Sequence, residues 1–161
     1  MKKELSESKD GIAIAAPQIG VNLRIFLIDD IILKPQIEII EENENPETRE
    51  KNFLTFINPV IIKKSSKKSI LNEGCLSVPG EYGNVKRIEK LTVTAYDENG
   101  KKFKKSATKI FAQAIQHEID HLDGKLFVDY LSPLKRQRIK KKLEKIHKIE
   151  RERGGMAEKA V

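Results

Sequence analysis

The spacing of apolar residues changes along the chain, from short apolar runs to a helical period in the last third. The runs Leu23–Asp29 and 53–59 (FLTFINP) are rich in β-branched and aromatic residues, which predicts strands, the second one stopped by Asn58-Pro59. The segment Val85–Asp97 predicts another strand, and the turn sequence DENG that ends it leads into KKFKK, which is typical of a hairpin. The polar stretch 41–51 predicts an exposed loop.

Two helices are predicted after these strands. Ser106 or Thr108 is placed to cap a helix that runs to Leu122, and Gly124 follows as its C-terminal stop. A second helix begins after Pro133. Because the strands come first and the helices last, the pattern favours an α+β fold.

Length and composition narrow the class of protein. The chain has 161 residues, 39% of them apolar and 34% charged, which is typical of one globular domain. Its apolar runs fall short of the roughly 20 residues that span a bilayer, and the N-terminal lysines precede no apolar segment of a secretion signal. The single cysteine, Cys75, excludes an internal disulfide and favours a reducing, cytoplasmic location.

The net charge of +7 is concentrated at the C-terminus. Residues 135–153 hold ten Lys and Arg against three Glu, so this segment carries +7 and the remainder is neutral. The asymmetry favours an anionic partner, although a solvated helix face would give the same pattern. A narrow apolar stripe of Ile139, Leu143 and Ile146 predicts that one side of this helix docks on the body.

The stretch 116–124 reads QHEIDHLDG and contains the pattern HExxH. On a helix, His117 and His121 lie one turn apart and can hold one metal ion, while Glu118 handles protons. The alternative is a pair of surface histidines. Ile110 and Ala114 continue the same stripe, so we expect the histidines to face inward, where a metal would satisfy both rings.

Two histidines leave a catalytic metal site one protein ligand short. Cys75, in NEGCLSVPG, is a candidate, although a free cysteine is commonly a small buried apolar residue. A thiolate ligand favours Fe(II), Zn or Co. A third element, GIAIAAPQIG at 11–20, offers the side-chain amide of Gln18 to a developing oxyanion, yet alone it would be an ordinary turn.

Together, GIAIAAPQ, EGCLS and QHEIDH resemble the peptide deformylase family, in the family's order, and the sequence after the last motif is similar to bacterial type 1 members. The resemblance implies a metal-dependent hydrolase that removes the N-formyl group from the N-terminal formylmethionine of nascent polypeptides. It implies antiparallel strands packed around a central metal-binding helix, with a basic C-terminal helix. The implied cofactor is Fe(II), for which Zn, Ni or Co substitutes. The implied metal ligands are Cys75, His117 and His121; Glu118 is the general base and acid, and Gln18 and the Leu76 N–H form the oxyanion site.

Further expectations concern the substrate and partners. Ile110 and Ala114 are placed to line a methionine pocket with Ile12, whereas Ala13 replaces a family glycine and could crowd the substrate. The resemblance implies formylmethionyl peptides as substrates and the ribosome, through its RNA, as the partner of the basic helix, with no membrane or DNA. We expect one metallohydrolase domain over 1–161, its basic helix at 134–153 and a disordered tail at 154–161.

The start is shorter than the family pattern. Only ten residues precede Gly11, where the family has a lead-in and a helix, so we expect an exposed apolar patch. We also expect Asp120, which points away from the two histidines, to pair with Arg87 of the hairpin region, the alternative being an exposed carboxylate.

Two other functions fit parts of the sequence. A zinc peptidase would use HExxH but leaves EGCLS and the Gln18 segment unexplained. An RNA-binding protein with a structural zinc would need a fourth protein ligand, because structural sites are usually closed.

Overall fold

The structure is a computed structural model that describes residues 1–8, 11–33 and 52–157, with side chains described up to residue 145. The predicted loop at 41–51 lies outside the described residues. The elements in chain order are α1 (Lys2–Glu7), β1 (Ala13–Ala15), a 3₁₀ turn (Ala16–Ile19), β2 (Ile25–Asp29), a 3₁₀ turn (Asp30–Leu33), β3 (Phe53–Lys64), β4 (Lys68–Cys75), β5 (Val78–Ile88), β6 (Lys90–Tyr96), β7 (Lys102–Thr108), α2 (Lys109–Leu122), a 3₁₀ turn (Phe127–Tyr130) and α3 (Pro133–Ala157).

The chain forms two compact units. The first comprises Met1–Leu71 and Lys86–Leu126, and the second comprises Asn72–Val85 and Phe127–Val161. The single domain expected over 1–161 stays a prediction. The basic helix α3 begins at Pro133 and extends to Ala157, past the predicted end at residue 153.

The first unit is built on a five-stranded antiparallel sheet in the order β1-β2-β3-β6-β7. Helix α2 packs against one face of this sheet. Phe26 and Phe56 stack at a ring-centroid distance of 4.6 Å, and Phe111 of α2 joins them. The α+β class and the packing of strands against a central helix are therefore confirmed.

Helix α1 covers the opposite face of the sheet. Its Leu5 is fully buried against Ile14 and Leu27, which point away from α2 because side chains alternate along a strand. Lys2 pairs with Glu98 at 2.6 Å and ties the helix to the β6–β7 turn. The short segment before Gly11 thus contributes its own apolar contact to this face.

Strand β3 corrects the prediction that Asn58-Pro59 ends the second strand. The strand continues to Lys64, with Asn58 at φ 50° and a register shift between Ile57 and Val60. A bulge explains this, because the extra residue takes Pro59, which has no N–H, out of the ladder, and asparagine tolerates a left-handed backbone.

The region 85–97 holds a strand, as predicted, but it also contains the end of another. It is divided at Glu89 into the end of β5 and the whole of β6, which belong to different sheets. The predicted hairpin is confirmed for β6 and β7, and its turn is held by Asp97 Oδ1, which accepts the N–H groups of Asn99 and Lys101. Gly100 adopts φ 76°, a backbone conformation that glycine tolerates without strain.

Candidate metal centre

Helix α2 carries the HExxH pattern, and both of its predicted ends are confirmed. Thr108 occupies the N-cap position with an extended backbone, and the last helical residue is Leu122. Gly124 follows at φ 71°, a left-handed conformation in which a side chain would be strained, and its N–H donates to the His121 carbonyl. Both ends of the helix that holds the histidines therefore fall where the local sequence marks them, although the Thr108 side chain makes no capping hydrogen bond.

The core-facing side of α2 is not the stripe expected from sequence. The apolar residues of α2 that contact the sheet core include Phe111, Ile115 and Leu122, one helical position away from the histidine stripe. His121 is buried, as expected, whereas Ile110, at the start of the same stripe, is 52% exposed and does not face inward. The reason is that Phe111, the larger side chain of the first turn, takes the core position and rotates Ile110 outward. Ala114 is buried, as expected.

The three predicted ligands lie close together. One ligand atom each of Cys75, His117 and His121 can be chosen so that all three lie within 4.8 Å of one another. The two imidazole ring centroids are 4.9 Å apart and their planes are inclined by 79°. Donors at ordinary metal–sulfur and metal–nitrogen distances around a tetrahedral ion are about 3.4–3.8 Å apart. The residues present therefore fit a divalent metal with thiolate and imidazole ligands.

Glu118 lies between the two histidines in the sequence and is buried. Gln18 sits in the 3₁₀ turn after β1, which packs against α2. Its Oε1 accepts the Ala15 N–H at 2.8 Å, and this bond fixes the amide so that Nε2, the donor end, points the other way. Leu76 occupies the two-residue turn directly after Cys75. The 3₁₀ turn after β1 therefore presents a hydrogen-bond donor, rather than an acceptor, at Gln18.

The remaining candidates lie on β1 and just before it. Ala13 pairs with Ile28 across the first two strands, and Ile12, one residue earlier, is partly exposed. Their assignment to the substrate pocket, like that of Ile110 and Ala114, stays a prediction.

The predicted ion pair beneath the helix is confirmed. Arg87 Nη1 donates to Asp120 Oδ2 at 2.6 Å, and both side chains are buried. The sequence reasoning did not single out Gln116, whose buried amide bonds the backbone of Ile88. The available signal was a glutamine that follows Ala114 and Ile115 and stands immediately before the first histidine.

Two imidazoles and a glutamate on one helical turn, with the Cys75 thiol close to both rings, form the chemical set of an HExxH metallohydrolase. The family described as polypeptide deformylase matches residues 1–137. The chain belongs to this family.

Comparison with individual proteins gives the same family. The chain is 47% identical over 142 residues to the peptide deformylase of Pseudoalteromonas translucida, covering 88% of this chain and 75% of that protein. It is 47% identical over 139 residues to peptide deformylase 1 of Pseudomonas syringae, covering 86% and 73%. The crystal structure of a peptide deformylase from Legionella pneumophila superimposes with a TM-score of 0.75 at 39% identity, over 93% of this chain and 78% of that one.

Membership of this family defines the activity. The protein is a metal-dependent hydrolase that removes the N-formyl group from nascent polypeptides. Within the described residues, helices long and apolar enough to cross a bilayer are lacking.

Proposed function

We propose that Cys75, His117 and His121 are the protein ligands of the catalytic metal and that this metal is Fe(II). The observation that carries the proposal is the convergence of their donor atoms within 4.8 Å. One thiolate and two neutral imidazoles form a set softer than the carboxylate sites of Mg or Ca, and this softness favours Fe(II), Zn, Ni or Co. Three protein ligands leave one position for water or substrate, which is typical of a catalytic site.

Different residues of the chain carry out the proton transfer and the stabilisation of the oxyanion. A bound divalent metal supplies Lewis acidity, which lowers the pKa of water and polarises the formyl oxygen. Glu118 accepts a proton from the attacking water and returns it to the departing amine nitrogen, so that formate and a free N-terminus result. Gln18 Nε2 and the Leu76 N–H donate to the oxygen that becomes negative. Losing one such donor typically slows turnover by about 10²–10³-fold.

Formate release from a formyl-Met peptide, measured without oxygen and with metal analysis of the same sample, tests this division of roles. We expect Cys75→Ala, His117→Ala and His121→Ala to lose metal. Glu118→Gln should keep the metal and lose nearly all turnover, because it retains shape but no base. If Glu118→Gln turned over at the wild-type rate, the proton-transfer role would be wrong. Cleavage of internal peptide bonds by the wild-type chain would instead indicate a peptidase.

A methionine pocket formed by Ile110 and Ala114, with Ile12 and Ala13 beside the substrate backbone, completes the proposal. The partial exposure of Ile110 and Ile12 supports it, since a pocket wall must be accessible before substrate arrives. Ile110→Asp should raise KM for formyl-Met peptides while metal content stays unchanged. An unchanged KM would remove Ile110 from the pocket.

The basic helix is proposed to contact the ribosome, which places the protein in the cytoplasm beside emerging chains. Ile139 is buried on the docked side of α3, whereas Lys135, Arg138 and Lys141 are exposed. Affinity carried by phosphate contacts should fall with salt at a log–log slope of about −0.7 to −0.9 per contact. Replacing Lys135, Arg138 and Lys141 by Glu should abolish co-sedimentation with ribosomes and spare activity on a short formyl-Met peptide. Equal co-sedimentation at matched salt would leave the helix as a solvated surface.

A further inference from the structure

Gln116 is a buried amide with three hydrogen bonds to backbone groups. Its Oε1 accepts the Ile88 N–H at 2.9 Å, and its Nε2 donates to the Ile88 carbonyl at 3.0 Å and to the Ala112 carbonyl at 2.8 Å. The side chain thus pairs with both polar groups of one strand residue, as a neighbouring strand would. Ile88 is the last residue of β5, directly before the chain enters the other sheet.

A second contact lies beside the first. Arg87 precedes Ile88, and its partner Asp120 lies one helical turn beyond Gln116. Two consecutive strand residues therefore hold two residues on one face of α2. His117 and His121 lie on the adjacent face, rotated by about 100°. Both strand contacts and both histidines belong to the same compact unit.

These hydrogen bonds and the ion pair restrict the rotation of α2 about its axis more tightly than its apolar contacts do. A ring nitrogen about 6 Å from the helix axis moves about 1 Å when the helix rotates by about 10°. Contacts of Phe111 and Ile115 with the core are non-directional and tolerate such a rotation, whereas three short hydrogen bonds and an ion pair do not. A displacement of this size is enough to misplace metal ligands and the proton-transferring carboxylate.

We propose that Gln116 is a positioning residue, which, together with the Arg87–Asp120 pair, sets the rotation of α2 and so aims His117, Glu118 and His121. It touches neither substrate nor metal and acts through the backbone that carries them. The inference rests on the proposed ligand set. Its consequence is that the loss of the amide changes metal geometry and affinity, in addition to stability.

The test uses Co(II) as the probe in the full chain, because the absorption bands of a cobalt thiolate site report ligand geometry. Gln116→Met keeps the volume and removes all three bonds; Gln116→Glu keeps an acceptor for the Ile88 N–H and loses both donated bonds. Ile115→Val is the matched control, since it loosens the buried core at the preceding residue and breaks no polar contact. Melting temperature, the Co(II) spectrum, Co(II) affinity, kcat and KM are measured for each.

We expect Gln116→Met to shift the cobalt bands, weaken Co(II) binding by about 10–100-fold and lower kcat with little change in KM. Ile115→Val should melt earlier with wild-type bands and affinity. Should Gln116→Met fail to fold, Gln116→Glu decides, with an expected band shift and a smaller loss of affinity. Wild-type bands and affinity in the folded variant would overturn the proposal and leave Gln116 as a structural residue. A wild-type chain without a thiolate–cobalt band would reject the ligand set itself, and the positioning role with it.

Discussion

The ion pair between Arg87 and Asp120 gives the sharpest stability prediction. Its side chains are only 4% and 12% exposed, and the nitrogen–oxygen distance is 2.6 Å. Asp120→Ala removes the carboxylate and leaves the Arg87 guanidinium buried with this charged hydrogen bond lost. Because returning that charge to water would require α2 to separate from the strand, the penalty falls on the free energy of unfolding.

Breaking a buried pair on one side costs about 3–5 kcal/mol. For a chain of 161 residues, each kcal/mol shifts the melting temperature by about 2–4 °C, so Asp120→Ala should melt about 6–20 °C earlier. Urea unfolding at a fixed metal concentration checks this result. The midpoint should fall while the slope with denaturant stays constant, since the area exposed on unfolding is unchanged. Metal must be matched, because a ligand of the folded state raises apparent stability.

A second ion pair with the same nitrogen–oxygen distance serves as a control, because it differs from the first in its exposure to water. Lys2 and Glu98 also meet at 2.6 Å, but their side chains are 55% and 56% exposed. Glu98→Gln should therefore cost less than about 1 kcal/mol, because water screens the pair. The double variant Arg87→Met with Asp120→Leu should recover much of the loss, since neither charge then remains buried. An unchanged melting temperature for Asp120→Ala, or a loss equal to that of Glu98→Gln, would refute the reasoning.

Three further predictions follow from single contacts. Leu5→Ala should cost about 2–5 kcal/mol in urea unfolding, because Leu5 is fully buried under the sheet. Gly124→Ala should lower the melting temperature by straining a φ of 71°, and Gly124→Asn should do so less. The hydrogen bond from Lys142 lowers the pKa of Glu81 below its ordinary 4.5. This pair therefore contributes above pH 4.5 and is lost as the pH falls through the lowered value, and Glu81→Gln should remove that part of the acid dependence of thermal unfolding.

Local signals in the sequence predicted α2 well. Thr108 and Gly124 mark its ends because the residue types favoured at an N-cap position and at a left-handed stop can be recognised from a few neighbouring residues. The β6–β7 turn was predictable for the same reason, since Asp97 bonds backbone groups within four residues of itself. The Asn58-Pro59 stop was wrong because a bulge depends on the partner strand, which local sequence does not contain.

The division at Glu89 had the same cause as the bulge. Residues 85–97 have a continuous strand composition, and only the pairing of β5 with β4 and of β6 with β3 divides them. Such pairings join segments that are distant in sequence. Composition therefore located strand-forming residues but did not show which sheet each would enter.

The rotation of α2 shows why the meeting of the two histidines was predictable from the sequence and the surroundings of the helix were not. A period of 3.6 places His117 and His121 on one stripe whatever the helix packs against, so the motif alone brings the two rings together. The period does not say which stripe meets the sheet. Phe111 and Ile115 take the core, so the neighbouring stripe, which carries the two histidines, is turned aside and Ile110 is exposed. The partner that fixes this angle is the backbone of Ile88, and a backbone group leaves no mark in a sequence. The trace of this contact in the sequence is the glutamine directly before HExxH, so replacing Gln116 is the best way to change the orientation of the proposed metal ligands while all of them stay present.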